Sequence, residues 1–304
     1  MATLPELLLE HSIRPHRYTD GNQKILCPRC SRDRKNRTDR CLSLCIDGDR
    51  ALWNCHHCQW RGVVSERDDE RQASRPRRRA VAPAKPTAVP DSPSPEVLRW
   101  LAKRGISEAT ARRNKIGTAR HFIPKLNATV DCVAFPYFRN GELVNIKFRA
   151  LTEKAFAQVK GAEKILYGLD DIANEKTGII VEGECDKLAL EKADIRNVVS
   201  VPDGAPAKVK TGDPDPEDAK FAFIANCIDA LNRLDRIVLG VDNDESGDAL
   251  AEELARRLGK ERCWRAHWPA SGDAPCKDAN ETLLMHGPDV LRECIEHAKP
   301  YPIV

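Results

Sequence analysis

At 304 residues, with 41% hydrophobic and 31% charged residues, the chain has the length for two or three domains and the composition for globular cores. No run approaches the ~20 apolar residues that span a bilayer, and the N-terminus MATLPELLLEHSIRPH lacks a secretory pattern, which excludes an integral membrane protein. The net charge of +3 is unevenly spread: residues 1–64 carry +4, residues 65–95 carry +2 and the rest −3. A basic head before a mildly acidic body points to a polyanion partner for the first and to metal-binding or catalytic carboxylates in the second.

In the head, residues 1–64, PELLLEH (5–11) patterns as a short amphipathic helix. CLSLCID (41–47), the turn at Gly48 and ALWNC (51–55) alternate as a hairpin does. Residues 65–95 contain six prolines and no aromatic residue, and beyond alanine only Val81 and Val89 are apolar. Such a stretch cannot offset its ordering entropy and reads as a flexible Pro/Arg-rich linker. The body, 96–304, opens with helical patterns around 95–104 and 107–114. CVAFPYF, an Asn140-Gly141 turn and ELVNIKFRA then form a strong hairpin signal. From about residue 178 short apolar strands (GIIVE, NVVSV, RIVLGVD, ERCWRA) alternate with helical patterns (186–193, 216–234, 246–259). That order predicts a mostly parallel sheet covered on both faces, with ligand chemistry at the carboxyl ends of its strands.

Six of the 12 cysteines precede residue 59. Cys27 and Cys30 form one CxxC pair and Cys55 and Cys58 a second, with the predicted hairpin between them, which is the pattern of a closed tetrahedral zinc site. Cys41, Cys45, His56 and His57 are rival ligands, but both CxxC pairs have knuckle spacing, and Cys41 and Cys45 read as small hydrophobes on the hairpin. A metal knuckle plus scattered apolar cysteines fits a reducing compartment better than a disulfide scaffold. Arg29, Arg32, Arg34, Lys35, Arg37 and Arg40 crowd the same region. With His56, His57 and Trp60 they combine phosphate-holding charge and base-stacking faces, the needs of single-strand binding. Trp53 reads as core. Arg34, Lys35, His56, His57 and Trp60 are therefore the candidate template-reading residues.

In the body, strand GIIVE ends on Glu182 and strand RIVLGVD ends on Asp242, with Asp244 two residues on; Asp278 follows in KDANE. Carboxylates at i and i+2 on a strand end can share a divalent cation, and Glu182 on a neighbouring strand could join them, so Mg²⁺ or Mn²⁺ suits the set. Glu184, Asp186 and Glu245 also fit as ordinary first-turn helix acids.

EGECD after one strand and DNDESG after another resemble the E-G-x-x-D and D-x-D-x-x-G signature of TOPRIM proteins. KDANE, the region NIKFRALTEKAF and the head CPRCS…WNCHHCQW are similar to the bacteriophage-type primase–helicase family, related to DnaG and Twinkle. The resemblance implies an α+β N-terminal zinc ribbon linked to an α/β TOPRIM-type RNA polymerase domain with a parallel sheet core. It divides the body into a basic subdomain (96–175), a TOPRIM core (176–270) and a C-terminal helical segment (271–304). Glu182, Asp242 and Asp244 would be catalytic and, with Asp278, would hold Mg²⁺ or Mn²⁺. Lys147, Arg149 and Lys154 would bind nucleotide or template. The implied activity is a DNA primase that makes RNA primers from ribonucleoside triphosphates on single-stranded DNA, working with a replicative helicase, in the nucleoid-associated cytoplasm of a bacterium or phage-infected cell. The alternatives are a TOPRIM nuclease and a non-catalytic recombination mediator. Gly259-Lys260 is followed by Glu261, so no phosphate loop of a fused helicase is present in these residues, and the chain ends about where a helicase linker would begin.

Overall fold

A helix opens the head because Thr3 and Glu6 pair at its start: the Glu6 carboxylate accepts from the Thr3 backbone N–H at 2.7 Å and from its hydroxyl at 3.0 Å. This helix, α1 (Leu4–Glu10), buries Leu4 and Leu8. The computed structural model describes residues 3–58, 60–66, 83–209, 212, 214, 215, 218–272 and 274–302. It divides the chain into two units, Met1–Ala82 and Pro83–Val304.

Four antiparallel strands follow α1 in the first unit: β1 (Gly21–Ile25), β2 (Leu42–Asp47), β3 (Arg50–Cys55) and β4 (Arg61–Ser65), adjacent in that order. The predicted hairpin is β2–β3, whose alternation turns Leu42, Leu44, Ile46, Ala51, Trp53 and Cys55 into one small core. β1 and β4 were not legible, since GNQKI and RGVVS carry too few apolar residues to alternate visibly. Gly62 on β4 is required by that core: a Cβ there would lie 2.3 Å from the Trp53 ring.

The expected linker overshoots at both ends. Ser65 closes β4, and the Glu66 carboxylate accepts from the Leu4 backbone N–H at 2.6 Å, so both belong to the head. At the other end Ala84 bridges to Ala162, Asp91 pairs with Thr118, and the Ser94 N–H donates to the Thr118 hydroxyl at 2.7 Å. Prolines stiffen this stretch without preventing edge pairing against the second unit. The middle of the linker, 67–82, lies outside the described residues.

In the second unit, α2 (Pro95–Ala102) and α3 (Glu108–Arg113) are capped by Ser94 and Ser107. An antiparallel sheet then runs β5 (Gly117–Ile123), β6 (Ala128–Arg139), β7 (Glu142–Ala150) and β8 (Phe156–Gln158). Asn140 and Gly141 both adopt positive φ, 51° and 76°, in the tight turn expected of Asn-Gly. The Asp170 carboxylate accepts from both their N–H groups.

The second sheet has β9 (Thr177–Val181), β10 (Val198–Ser200), β11 (Arg236–Gly240) and β12 (Cys263–Arg265) parallel in the order β10-β9-β11-β12. A two-residue hairpin, β13 (Ala270–Ser271) with β14 (Ala274–Pro275), leads to the last strand, β15 (Lys299–Pro300), which adds antiparallel at the edge. Ile180, Ile237 and Leu239 enter one core, whereas Ile179, Val181 and Val238 enter another, so both faces are covered. The covering helices include α4 (Glu184–Lys192), α7 (Glu245–Leu258) and α8 (Ala279–Glu296), the last interrupted at Gly287-Pro288. The single helix expected over 216–234 is replaced by α5 (Ala222–Asn226) and α6 (Ile228–Leu231). Cys227 separates them, and its sulfur accepts from the Leu166 N–H at 3.4 Å, so a tertiary contact overrides the helical periodicity. Residues 216 and 217 of that expected helix lie outside the described residues.

Candidate active site and zinc knuckle

The knuckle brings both CxxC turns together. The Cys27 and Cys58 sulfurs are 3.7 Å apart, as are those of Cys30 and Cys55, and all four lie within 4.8 Å of one another. A tetrahedron with Zn–S bonds of about 2.3 Å needs sulfurs about 3.8 Å apart, so the residues fit the ion. Burial opposes ionisation of Cys55 and Cys58, but backbone N–H groups of His57, Cys58 and Trp60 and the facing thiols outweigh it and leave both below the usual thiol range. Burial and the neighbouring thiols push Cys30 up. Cys41 is more than a hairpin hydrophobe: its buried sulfur stands 3.9 Å from that of Cys30 and 3.7 Å from that of Cys55. Cys45 faces the other side of β2.

The template-reading candidates separate into two groups. Arg34 donates to Asp39 at 2.9 Å, His57 lies 3.0 Å from the same oxygen, and the His56 and His57 ring centroids are 4.4 Å apart with the rings tilted by 37°. The Arg34 guanidinium, and after it His57, hold the Asp39 carboxyl below its usual range. Trp60 packs 5.4 Å from Trp53 with the Arg29 guanidinium 4.8 Å from its ring, and Lys35 is exposed. A groove of about 960 Å³ on this unit is lined by Arg14, His16, Arg32, Arg37 and Arg40. Arg14 and His16 precede the Arg-rich stretch, so their approach to it had no local signal in the sequence.

The acidic site is built at strand ends. Glu182 directly follows β9, and Asp242 and Asp244 follow β11 before α7. Gly247 lets the first turn of α7 pass over this bend, since a Cβ there would lie 2.1 Å from the Asp242 carbonyl oxygen. Asp244 caps α7 through the Gly247 N–H at 2.8 Å, and Asp278 caps α8 through the Glu281 N–H at 2.7 Å. Asn243 draws the two loops together: its N–H donates to the Lys277 carbonyl at 2.7 Å, and its side chain donates to the Trp268 and Cys276 carbonyls. Arg265, buried on β12, donates to the carbonyls of Leu239, Val241 and Asp242 and so pins the end of β11.

The tightest group differs from the expected one. Carboxylate oxygens of Asp186, Asp242 and Asp278 lie within 4.8 Å of one another, so Asp186 joins the site as well as serving as a first-turn acid of α4. Its two oxygens accept from the N–H groups of Gly183 and Asn280 at 3.1 and 3.0 Å. Asp244 instead meets the Lys277 ammonium at 2.7 Å, and that ammonium is also 3.2 Å from Asp242. Glu182 accepts from the Ala205 N–H through one oxygen, while its buried second oxygen has no hydrogen-bond partner among the described residues.

Burial, then Glu182 and Asp278, pushes the Asp242 carboxyl up to about 7, although Lys277 opposes the shift. Burial, then Asp278 and Asp242, raises Asp186 well above the carboxylate range, and burial raises Glu182. Asp244 is held low by Lys277. Crowded, desolvated carboxylates with an orphaned oxygen fit a divalent cation.

Beside Glu182 a cavity of about 480 Å³ is lined by Lys147, Lys154, Phe156, Gln158, Lys164 and Asp203. Lys147 is buried and donates to Glu184 at 2.7 Å, which also accepts from the Tyr137 hydroxyl at 2.6 Å. Glu184 is thus a buried anchor and not a solvent-facing helix acid; Glu245 is exposed in the first turn of α7. The Arg149 guanidinium lies 4.5 Å from the Trp100 ring and 5.8 Å from that of Phe156, which lines the cavity.

The stretch that carries the strand-end acids Glu182, Asp242 and Asp244 is matched by the family model described as Toprim domain, over residues 176–267. The whole chain is 40% identical over 316 residues to the primase homolog protein of Arabidopsis thaliana, covering 89% of it. The chain belongs to that primase family. It is also 40% identical to the chloroplastic/mitochondrial Twinkle homolog protein of Arabidopsis thaliana, of which it spans 43%. The primase fragment of the bacteriophage T7 primase-helicase protein shares the fold, with a TM-score of 0.51 at 23% identity over 90% of this chain and 98% of that one.

Two outcomes are expected. The purified protein carries one zinc per chain by elemental analysis, and Cys55→Ser loses it together with the folded head, seen as loss of protease resistance of residues 1–66. The second concerns acidity. Folded Asp242 keeps a proton up to about pH 7, whereas its ordinary value is 3.8, so the metal-free protein loses stability as pH rises between the two. Mn²⁺ binds the ionised form, so it raises the melting temperature more at pH 8 than at pH 5. An equal rise at both values would remove the carboxylates as the metal site.

Proposed function

We propose that the chain is a DNA primase, joining ribonucleoside triphosphates into short RNA on a single-stranded DNA template. The observation that carries this reading is the adjacency of five carboxylates, including the orphaned oxygen of Glu182, to a lysine-lined cavity of nucleotide size. In the reaction the 3′-hydroxyl of one nucleotide attacks the α-phosphorus of the next, the bond to pyrophosphate breaks, and the hydroxyl proton leaves. Mg²⁺ or Mn²⁺ held by Asp186, Asp242 and Asp278, with Glu182 and Asp244 at its margin, would supply neutralising charge and a lowered hydroxyl pKa. Glu182, raised by burial and with one oxygen lacking a hydrogen-bond partner among the described residues, is suited to take up that proton. Lys154 and Lys164 face the cavity and neutralise phosphates, and Lys147 fixes Glu184 and thereby the start of α4. Arg149 positions the subdomain edge through its stack on Trp100.

The head contacts the template, through its groove arginines for phosphate and through His56, His57 and Trp60 for bases. A reducing compartment suits the free thiols. A replicative helicase is the proposed partner, because a Twinkle homolog and a phage helicase/primase both align with this chain over part of their length. A non-catalytic mediator would have no need of a complete acid set, and a nuclease no need of the lysine-lined cavity.

The test is labelled ribonucleotide incorporation on random single-stranded DNA with Mg²⁺ or Mn²⁺. Wild type makes short RNA, and Asp242→Ala loses at least ~10³-fold in rate while keeping its fold and template affinity. Template degradation in place of RNA synthesis would make the protein a nuclease.

A further inference from the structure

Lys277 is the residue of this site that the proposed chemistry has not used. Its ammonium touches Oδ2 of Asp244 at 2.7 Å and Oδ2 of Asp242 at 3.2 Å, so it sits between the two acids that the sequence marks for a metal. Its main chain is held at both ends of the residue: the N–H donates to Glu281 and the carbonyl accepts from the Asn243 N–H at 2.7 Å. The side chain, by contrast, is 51% exposed on a flexible four-carbon stem. The backbone is fixed and the charge can move.

A divalent cation and this ammonium compete for the carboxylates they would share, because both are positive and repel each other at that separation. We propose that Lys277 is a place-holder cation: its ammonium occupies the Asp242 and Asp244 oxygens in the metal-free protein, leaves them when a divalent cation enters, and then pairs with the triphosphate of the bound nucleotide. The exchange makes metal and nucleotide bind cooperatively, because the nucleotide supplies the partner that the displaced ammonium has lost. Without a nucleotide, a free metal must evict Lys277 into water, which weakens metal binding and leaves the acids paired. This inference rests on the nucleotide-binding reading above.

Lys277→Met and Lys277→Gln test it, with Mn²⁺ binding followed by electron paramagnetic resonance in the absence of nucleotide. Both variants should bind Mn²⁺ about tenfold more tightly than wild type, inside the roughly 5–150-fold range of site-to-site coupling. In saturating Mn²⁺, both should bind a fluorescent, non-hydrolysable nucleoside triphosphate more weakly than wild type. Circular dichroism checks that the fold is retained. Unchanged or weaker Mn²⁺ binding in both variants overturns the inference, and so does unchanged nucleotide binding, while the primase reading stands. If wild type and variants alike bind no Mn²⁺, the inference and the primase reading fall together.

Discussion

Five carboxylates share one corner of the second unit, three of them pushed up by burial, and the unit is organised around tolerating their mutual repulsion. The positive ends of three helices face the site. Asp244 and Asp278 cap α7 and α8, and Asp186 stands in the first turn of α4 with two backbone N–H groups on its oxygens. Each helix start supplies oriented N–H donors and partial positive charge where the acids are densest. Parallel strands make this possible, because every strand delivers its chain to the same edge of the sheet before the covering helix begins. The remaining excess charge shows in the raised carboxyls of Glu182, Asp186 and Asp242. A stability optimum would replace one of these acids, so their crowding is what the proposed cation site would require.

Several devices keep the acids from drifting apart. Arg265 holds three carbonyls at the end of β11, and Asn243 ties that end to the loop before α8. Both act on backbone, so the carboxylates stay available for ligands. Gly247 completes the arrangement by allowing α7 to start immediately above Asp242.

How much of this was legible followed from the range of the interactions. The CxxC pairs were, because tetrahedral coordination dictates a local spacing. The strand-end positions of Glu182, Asp242 and Asp244 were, because a short apolar strand ending on an acid marks a ligand-facing edge, although Asp244 turned out to face Lys277. Asp186 was not, because an acid in the third position of a helix has an ordinary capping use and its second use depends on Asp278, far along the chain. Lys277 and Arg265 were hidden for the same reason: the partners that tie them to this site, Asp244 and the Asp242 carbonyl, lie 33 and 23 residues away. The helix expected over 216–234 failed where the Cys227 sulfur met the Leu166 N–H, a contact no periodicity encodes. The linker failed at its ends, since proline content reports on intrinsic stiffness and says nothing of an edge waiting to pair.

The head applies the same logic with opposite charge. Asp39 engages Arg34 and His57 together, which takes Arg34 out of the pool of free cations and fixes the edge that His57 presents. Arg14, Arg32, Arg37 and Arg40 instead line a groove, where guanidinium groups can follow a phosphate backbone without regard to sequence. Affinity and selectivity would therefore reside in different residues of one small unit: counterion release in the groove, hydrogen bonding at the histidines. A zinc knuckle suits this division. A zinc ion held by the four cysteines would cross-link the CHHC turn that carries His56 and His57 to the CPRC turn from which the arginine-rich loop departs, and would hold both in register without a large hydrophobic core.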